Sequence, residues 1–450
     1  MKRKIYEQLL NWKANDAHGT ALLIDGARRV GKSYIAEEFA RNEYESYILI
    51  DFNKVSRDVT DLFEHHLNNL DTLFSYLSAY FNVPLVVGKS LIIFDEVQLC
   101  PKARAAIKYL VNDGRYHYLE TGSLMTIKAN VNDIVIPSEE RHLKMYPLDF
   151  EEFLMATGNE TLMPFIKDCF TGNRALGTAM HRRAMDCFRQ YLLVGGMPQA
   201  VLEYVNTHNF QRVDLVKRDI LTLYRADIIK HAKGYERKVE AIFDELPSQL
   251  QRHEKHFRLS SLGKSARFRD YEDALFWLDD AMIINNCYLT CEPSIALRMN
   301  RDKNMLKCYM GDTGLLVSHA FDEKAMVNDE IYRRLLVGTL EFNEGMIMEN
   351  IVAQMLVAAG HKLYFYSNAS KENADERMEI DFLIEKAKIT SRHNVRPLEI
   401  KSGKNYTFNS LRKFCKLFAQ QIDKPLLLHN GDVMEKDGFQ CLPLYMTPLL

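Results

Sequence analysis

The chain has little net charge: 58 Lys and Arg stand against 60 Asp and Glu over 450 residues, a formal charge of −2 at pH 7. No global basic field draws it to nucleic acid, so any basic site must be local. Long hydrophobic runs are missing as well. Stretches such as Leu91–Phe94 are far too short to cross a bilayer, so no membrane partner is expected. The start, Met1-Lys2-Arg3-Lys4-Ile5-Tyr6, is basic but has no apolar signal core, which leaves a cytoplasmic location as the default. The eight cysteines are scattered, and Cys287 and Cys291, the closest pair, lack a second pair or a metal-spaced histidine. Free thiols are expected rather than disulfides or zinc. Glu64-His65-His66 and His253-Glu254-Lys255-His256 lack the i, i+4 spacing of a helical zinc site. Internal repeats and low-complexity tracts are absent.

Against these absences stands one specific motif. Gly26-Ala27-Arg28-Arg29-Val30-Gly31-Lys32-Ser33 fits the phosphate-cradling pattern Gly-x-x-x-x-Gly-Lys-Ser. Glycines let the backbone wrap a phosphate, and the following helix N-terminus attracts negative charge. The apolar run Ala21–Ile24 before it reads as a buried strand, and Lys32–Ala40 after it reads as a helix, which is the required setting. Further strands are expected at Tyr47–Ile50, Leu91–Phe94 and Tyr116–Leu119, with helices at Asp58–His65 and Lys102–Val111. Such alternation predicts an α/β domain with a parallel sheet.

The third of these strands ends in Asp95-Glu96. Asp95 would hold Mg²⁺ together with the Ser33 hydroxyl, Lys32 would neutralise the β- and γ-phosphates of ATP, and Glu96 would polarise the attacking water. The fourth ends in Thr121-Gly122-Ser123, where Ser123 or Thr121 could sense the γ-phosphate. Arg141 could supply charge to the transition state, in trans if the chain forms a homo-oligomer.

Residues from about 160 to 335 are mostly helical by pattern, broken by Gly195-Gly196-Met197-Pro198, a backbone requirement at a turn rather than a second nucleotide site. A short segment Leu259–Lys264, a helix Tyr271–Ile284 and a strand-like Ile283–Leu289 read as a winged-helix unit. Around it Arg252, His253, Lys255, His256, Arg258, Lys264, Arg267 and Arg269 gather basic charge that could meet DNA. Past residue 336 the pattern changes again. A helix Gly345–Ala359 precedes strands at Lys362–Tyr366, Glu379–Ile384 and Arg396–Ile400, a polar loop occupies Ser367–Arg377, and a helix Leu411–Gln420 precedes a strand Pro425–Leu428. Three domains follow from these shifts: 1–158, 159–335 and 336–450.

In the last of them Glu399 and Lys401 sit two apart on one strand and face the same side, with Asp381 on the neighbouring strand and Glu349 on the preceding helix. Glu349, Asp381 and Glu399 could bind a second Mg²⁺, and Lys401 could help activate water for phosphodiester cleavage. Lys401-Ser402-Gly403-Lys404-Asn405-Tyr406 adds local positive charge.

Several stretches together resemble the AAA-type ATPases of prokaryotes that carry a C-terminal domain of unknown function. They are the Gly26–Ser33 loop, Ile92–Gln98, Glu120–Ser123, Tyr146-Pro147-Leu148-Asp149-Phe150-Glu151-Glu152-Phe153, Tyr191–Pro198, Tyr309–Leu315, Glu379–Phe382 and Pro397–Ser402. The resemblance runs through nearly the whole chain. It implies an AAA-like P-loop core, a helical and winged-helix middle and a restriction-endonuclease-like α/β end. Hydrolysis of ATP with Mg²⁺ would then move the later domains, and DNA would be a candidate partner. The order helix-Glu, strand-Asp, strand Glu-x-Lys is similar to that of the restriction-endonuclease-like superfamily. One departure stands out: the family shows Gly-Arg ahead of a Pro-Leu-Ser-Phe segment, whereas here Ser138-Glu139-Glu140-Arg141-His142 precedes and Asp149 replaces the Ser.

Overall fold

A computed structural model describes residues 1–122, 138–252, 256–294, 296–321, 344–369, 376–386, 393–403 and 406–450. The chain divides into two units, Met1–Tyr146 and Pro147–Leu450.

In the first unit the apolar runs become strands β1 Ala21–Gly26, β2 Ser46–Asp51, β3 Ser90–Asp95, β4 His117–Gly122 and β5 Glu140–Met145. Among the described residues they form one sheet in the order β2-β3-β4-β1-β5, parallel throughout. Full burial of β1, β3 and β4 explains why they read as continuous apolar runs. Ala21, Leu23, Ile48, Ile50, Ile92 and Phe94 pack against Val59 and Phe63, Leu73 and Leu77, and Ala106 and Ile107 from three helices. The helix Lys32–Glu43 separately buries Ile35, Ala36, Phe39 and Ala40. The order places β4 between β1 and β3, so the β4 tip stands between the phosphate-binding loop and the β3 carboxylates. Strand β5 was not expected from the sequence. It has mostly polar residues and is half-exposed at the sheet edge, so it carries no apolar signature.

The second unit begins with helices, from Phe150–Ala156 through Thr178–Val194, Phe210–His231 and Glu236–Gln251 to Phe268–Asp280. Its sheet contains β6 Ile284–Thr290, β7 Arg301–Met310, β8 Tyr364–Asn368, β9 Met378–Glu385, β10 Val395–Lys401, β11 Leu426–His429, β12 Met434–Lys436 and β13 Phe439–Pro443. The strand order among the described residues is β12-β13-β11-β10-β9-β8-β6-β7. β6 pairs in parallel with β8, so strands on both sides of residue 335 belong to one sheet. The helix expected over Tyr271–Ile284 stops at Asp280. Met282 adopts φ 56°, its N–H bonds to Asp279 O (2.9 Å), and Ile283 N–H bonds to Leu278 O (3.0 Å). This left-handed cap satisfies the last carbonyls and turns the chain into β6. The loop expected from Ser367 starts two residues later, because β8 runs on to Asn368.

Two of the marked segments prove to be packing devices. The Asp312 carboxylate accepts from Gly196 N (2.6 Å) and Leu315 N (2.9 Å). Gly195 adopts φ 79°, and a Cβ on Gly196 would lie 2.2 Å from Leu148 O. The glycine pair thus serves a close backbone approach, as the sequence suggested. The Ser-to-Asp departure at 149 also has a local reason. Asp149 caps the helix Phe150–Ala156, accepting from Glu152 N (2.9 Å) while Glu152 Oε2 accepts from Asp149 N (3.1 Å). Ser and Asp are both good N-caps.

Candidate functional site

The loop after β1 needs its glycines. A Cβ on Gly26 would sit 2.3 Å from Met145 O, and Gly31 adopts φ 96°. Gly31 opens the helix Lys32–Glu43, whose N-terminal N–H groups face the loop. Lys32 is buried, and its Nζ donates to Gly26 O (2.9 Å) and Ala27 O (3.0 Å). Burial lowers its pKa, and the charges of Glu96, Asp95 and Asp25 oppose that shift. Ala27 and Val30 are buried beneath the loop, whereas Arg28 and Arg29 are exposed.

At the C-terminal ends of β3 and β4 the two strand tips meet the start of the helix Lys32–Glu43. Asp95 Oδ1 accepts from Ser33 Oγ (2.7 Å) and from the Thr121 hydroxyl. Thr121 Oγ1 in turn accepts from Glu96 N (3.3 Å). Glu96 adopts φ 54°, a costly conformation for a residue with a side chain and one that collects at functional sites. Gln98 Nε2 donates to Glu96 Oε2 and aims that carboxylate. Of the two hydroxyls expected at the β4 tip, Thr121 touches Asp95; Ser123 lies outside the described residues. Gln98 was missed by sequence reasoning, and only its spacing two residues past Glu96 could have signalled it.

Arg141 is elsewhere. The register pairs it with Leu22 at the start of β1, four residues before Gly26, or about 13 Å along the strand. Its Nη1 bonds the Asp16 carboxylate (2.6 Å) and its side chain is exposed. Within one chain it does not reach the loop. Its neighbours instead form a charge network, buried at Arg104, Glu140 and Asp25 and open to solvent at His142. Arg104 Nη2 meets Glu140 Oε1 (3.0 Å), and His142 lies 2.7 Å from Glu140 and 3.9 Å from Asp25. Asp25 and Glu140 push His142 up to about 9.

The second cluster assembles in the other unit. β9 and β10 are antiparallel, with ladder pairs running from Val395–Glu385 to Leu398–Phe382. One step further the Asp381 carboxylate replaces a backbone acceptor, taking Ile400 N–H at 2.7 Å. Lys401 Nζ bonds Glu399 Oε1 (2.7 Å), as the two-residue spacing predicted. Glu349, Asp381, Glu399 and Lys401 line one cleft of about 250 Å³. Burial, reinforced by the Glu349 charge, pushes Asp381 up to about 7. Among the described residues no three His, Cys, Asp or Glu side chains converge closely enough to hold a metal ion. The three carboxylates expected to form a metal site therefore share a cleft without forming a cage. Of the three, Glu349 lies 3.8 Å from the ammonium of Lys307, which lines the same cleft with Tyr309 and Glu379. These three residues were missed, although the alternation of Lys307 and Tyr309 along β7 marks one strand face. Of the basic group near residue 258, His256 lines the cleft, Arg252, Arg258, Lys264, Arg267 and Arg269 are exposed, and His253 and Lys255 lie outside the described residues.

All eight cysteines are free thiols, and no described helix is long and apolar enough to cross a membrane.

Residues 18–154 match a family model described as an AAA domain. Residues 185–325 and 344–446 match two models described as domains of unknown function, DUF8612 and DUF4143. No curated protein matches the chain significantly. Among solved structures, the Walker-type ATPase paby2304 of Pyrococcus abyssi is 15% identical over 71% of this chain and 95% of its own, at a TM-score of 0.42. The ORC2 protein of Aeropyrum pernix (ADPNP–ADP complexes) is 14% identical over 74% of this chain and 91% of its own, at 0.31. The ORC1 protein of the same organism, in complex with DNA, is 12% identical over 72% and 93%, at 0.27. These likenesses are distant. The match to an AAA domain over residues 18–154 and the loop geometry support a P-loop fold of the nucleotide-binding kind in the first unit.

Proposed function

We propose that the first unit binds ATP with Mg²⁺ and hydrolyses it. The observation that carries this reading is the hydroxyl–carboxylate chain Ser33–Asp95–Thr121, with Glu96 held beside it in a left-handed conformation. The backbone from Ala27 to Ser33 would cradle the phosphates and Lys32 would meet the β- and γ-phosphates. The Ser33 hydroxyl and Asp95 carboxylate are hard oxygen donors in contact, which suits Mg²⁺. When bound there, Mg²⁺ would neutralise charge developing on the phosphates. Glu96, aimed by Gln98, would take the proton of the attacking water. Hydrolysis would serve as a switch acting on residues 147–450. A nucleotide-gated module with negligible turnover is the alternative to this reading.

Phosphate release from ATP with Mg²⁺, with and without duplex DNA, tests it. Glu96→Gln should retain ATP binding and lose at least about 100-fold in turnover. Wild type that binds ATP without turnover in either condition would establish the non-hydrolysing switch instead.

A second reading, favoured by the convergence of Asp381, Glu399 and Lys401 in one cleft, is phosphodiester chemistry in the second unit. The succession of the helix Glu344–Ala358, β8, β9, β10, the helix Asn409–Leu417 and β11 supports the restriction-endonuclease-like comparison. The helix, one-turn segment, helix and β6–β7 hairpin over 236–310 supports a winged-helix-like unit, and its exposed arginines suit a nucleic-acid backbone. Plasmid nicking by wild type but not by Lys401→Ala is the expected result, and equal background cutting by both would remove this reading.

A further inference from the structure

Arg3, in the basic start of the chain, reaches the phosphate-binding loop. Its Nη1 donates to Val30 O (3.0 Å), in the residue before Gly31, and its Nη2 donates to Tyr146 O (2.6 Å), one residue past β5. One guanidinium thus grips two backbone carbonyls, a task that suits its planar fork of donors. The helix Ile5–Asn15 holds Arg3 in place. Leu9 and Trp12 are buried along it, Tyr6 N–H bonds to Arg3 O (3.1 Å), and the Tyr6 hydroxyl donates to Glu43 Oε1 (2.9 Å) at the end of the helix Lys32–Glu43.

The start of the loop rests on the same strand end. β1 and β5 pair as far as Gly26 and Met145, and Gly26 approaches Met145 O too closely to carry a side chain. Val30 is fully buried, so packing fixes its side chain while Arg3 fixes its carbonyl. That carbonyl and the Gly31 N–H belong to one trans peptide and point in opposite directions. A guanidinium on the carbonyl therefore sets the direction of the N–H and polarises it into a stronger donor. Gly31, at φ 96°, has no side chain of its own to restrict it, so its peptide takes its orientation from such neighbours. In a loop of this kind the backbone N–H groups cradle the α- and β-phosphates.

We propose that Arg3 is a positioning residue for phosphate binding. Its guanidinium braces the Val30–Gly31 peptide against the end of β5 and turns the Gly31 N–H toward the α- and β-phosphates of the nucleotide. The inference rests on reading the loop as an ATP site, and it adds to that site a residue far upstream of the motif.

Calorimetric titration of the full chain with MgADP, and with a β,γ-imido analogue of ATP in the presence of Mg²⁺, tests it. Arg3→Ala should bind both at least about tenfold more weakly than wild type, and by the same factor, because both carry the α- and β-phosphates. The binding stoichiometry should stay unchanged. A merely structural defect would instead lower the fraction of competent protein and leave the affinity of the rest intact. Arg3→Lys keeps the charge without the fork and should lie between wild type and Arg3→Ala. Arg3→Gln replaces Arg3→Ala if circular dichroism shows that variant unfolded. Wild-type affinity in the folded variant, or a fall in stoichiometry alone, overturns the proposal and leaves the ATP reading standing. Absence of binding by wild type overturns both.

Discussion

At the scale of single residues, the nucleotide site turns on which hydroxyl reaches Asp95. Thr121 donates to Asp95 and accepts from Glu96 N, so one side chain ties the Asp95 carboxylate to the Glu96 backbone. A hydrogen bond to a charged group contributes about 1.5–3 kcal/mol. Thr121→Val should therefore slow phosphate release roughly 10- to 100-fold, with ATP affinity less affected. An unchanged rate in Thr121→Val and a large loss in Ser123→Ala would transfer the role to Ser123. His142 supplies a second test at this scale. Its folded pKa of about 9 lies above the ordinary histidine value of 6.5, so its ion pairs with Asp25 and Glu140 stabilise the fold fully below about pH 6.5. That contribution is lost as pH rises through 9. Thermal melts of wild type should fall between pH 6.5 and 9 by more than those of His142→Asn. Parallel pH profiles would show that the imidazolium contributes nothing.

At the scale of elements, close backbone approach decides more than side-chain chemistry. The turn at Gly195-Gly196 is pressed between Leu148 and Asp312. Gly196→Ala would force its Cβ onto a carbonyl oxygen and should cost about 3 kcal/mol in urea unfolding. Gly263→Ala, where nothing lies within 4 Å, should change stability by less than about 0.5 kcal/mol. Similar losses at both positions would refute the packing account. The apolar strands and amphipathic helices were legible from the sequence, because full burial leaves continuous apolar runs and 3.6-residue spacing. β5 was not legible, since an edge strand can be as polar as Glu140-Arg141-His142. The end of the helix at Asp280 was hidden as well, because Met282 takes a left-handed cap conformation that usually belongs to glycine.

At the scale of the whole molecule, the two units make a calorimetric prediction. MgATP at about 100 times its dissociation constant should stabilise the unit that binds it by about 2.7 kcal/mol. The transition of Met1–Tyr146 should move and that of Pro147–Leu450 should stay, giving two separable events. A single transition displaced as a whole would show that the units unfold together. The chain sequence by itself determined the phosphate-binding loop, the Asp95-Glu96 pair and the Glu399-x-Lys401 spacing, because each lies in a short segment whose local geometry follows from residue type. Tertiary structure alone decided that Thr121 meets Asp95, that Arg141 stands at the far end of β1, and that Lys307 enters a cleft whose acids lie 42 to 92 residues further on. Those outcomes depend on strand order and register, which arise from long-range pairing that no local pattern encodes.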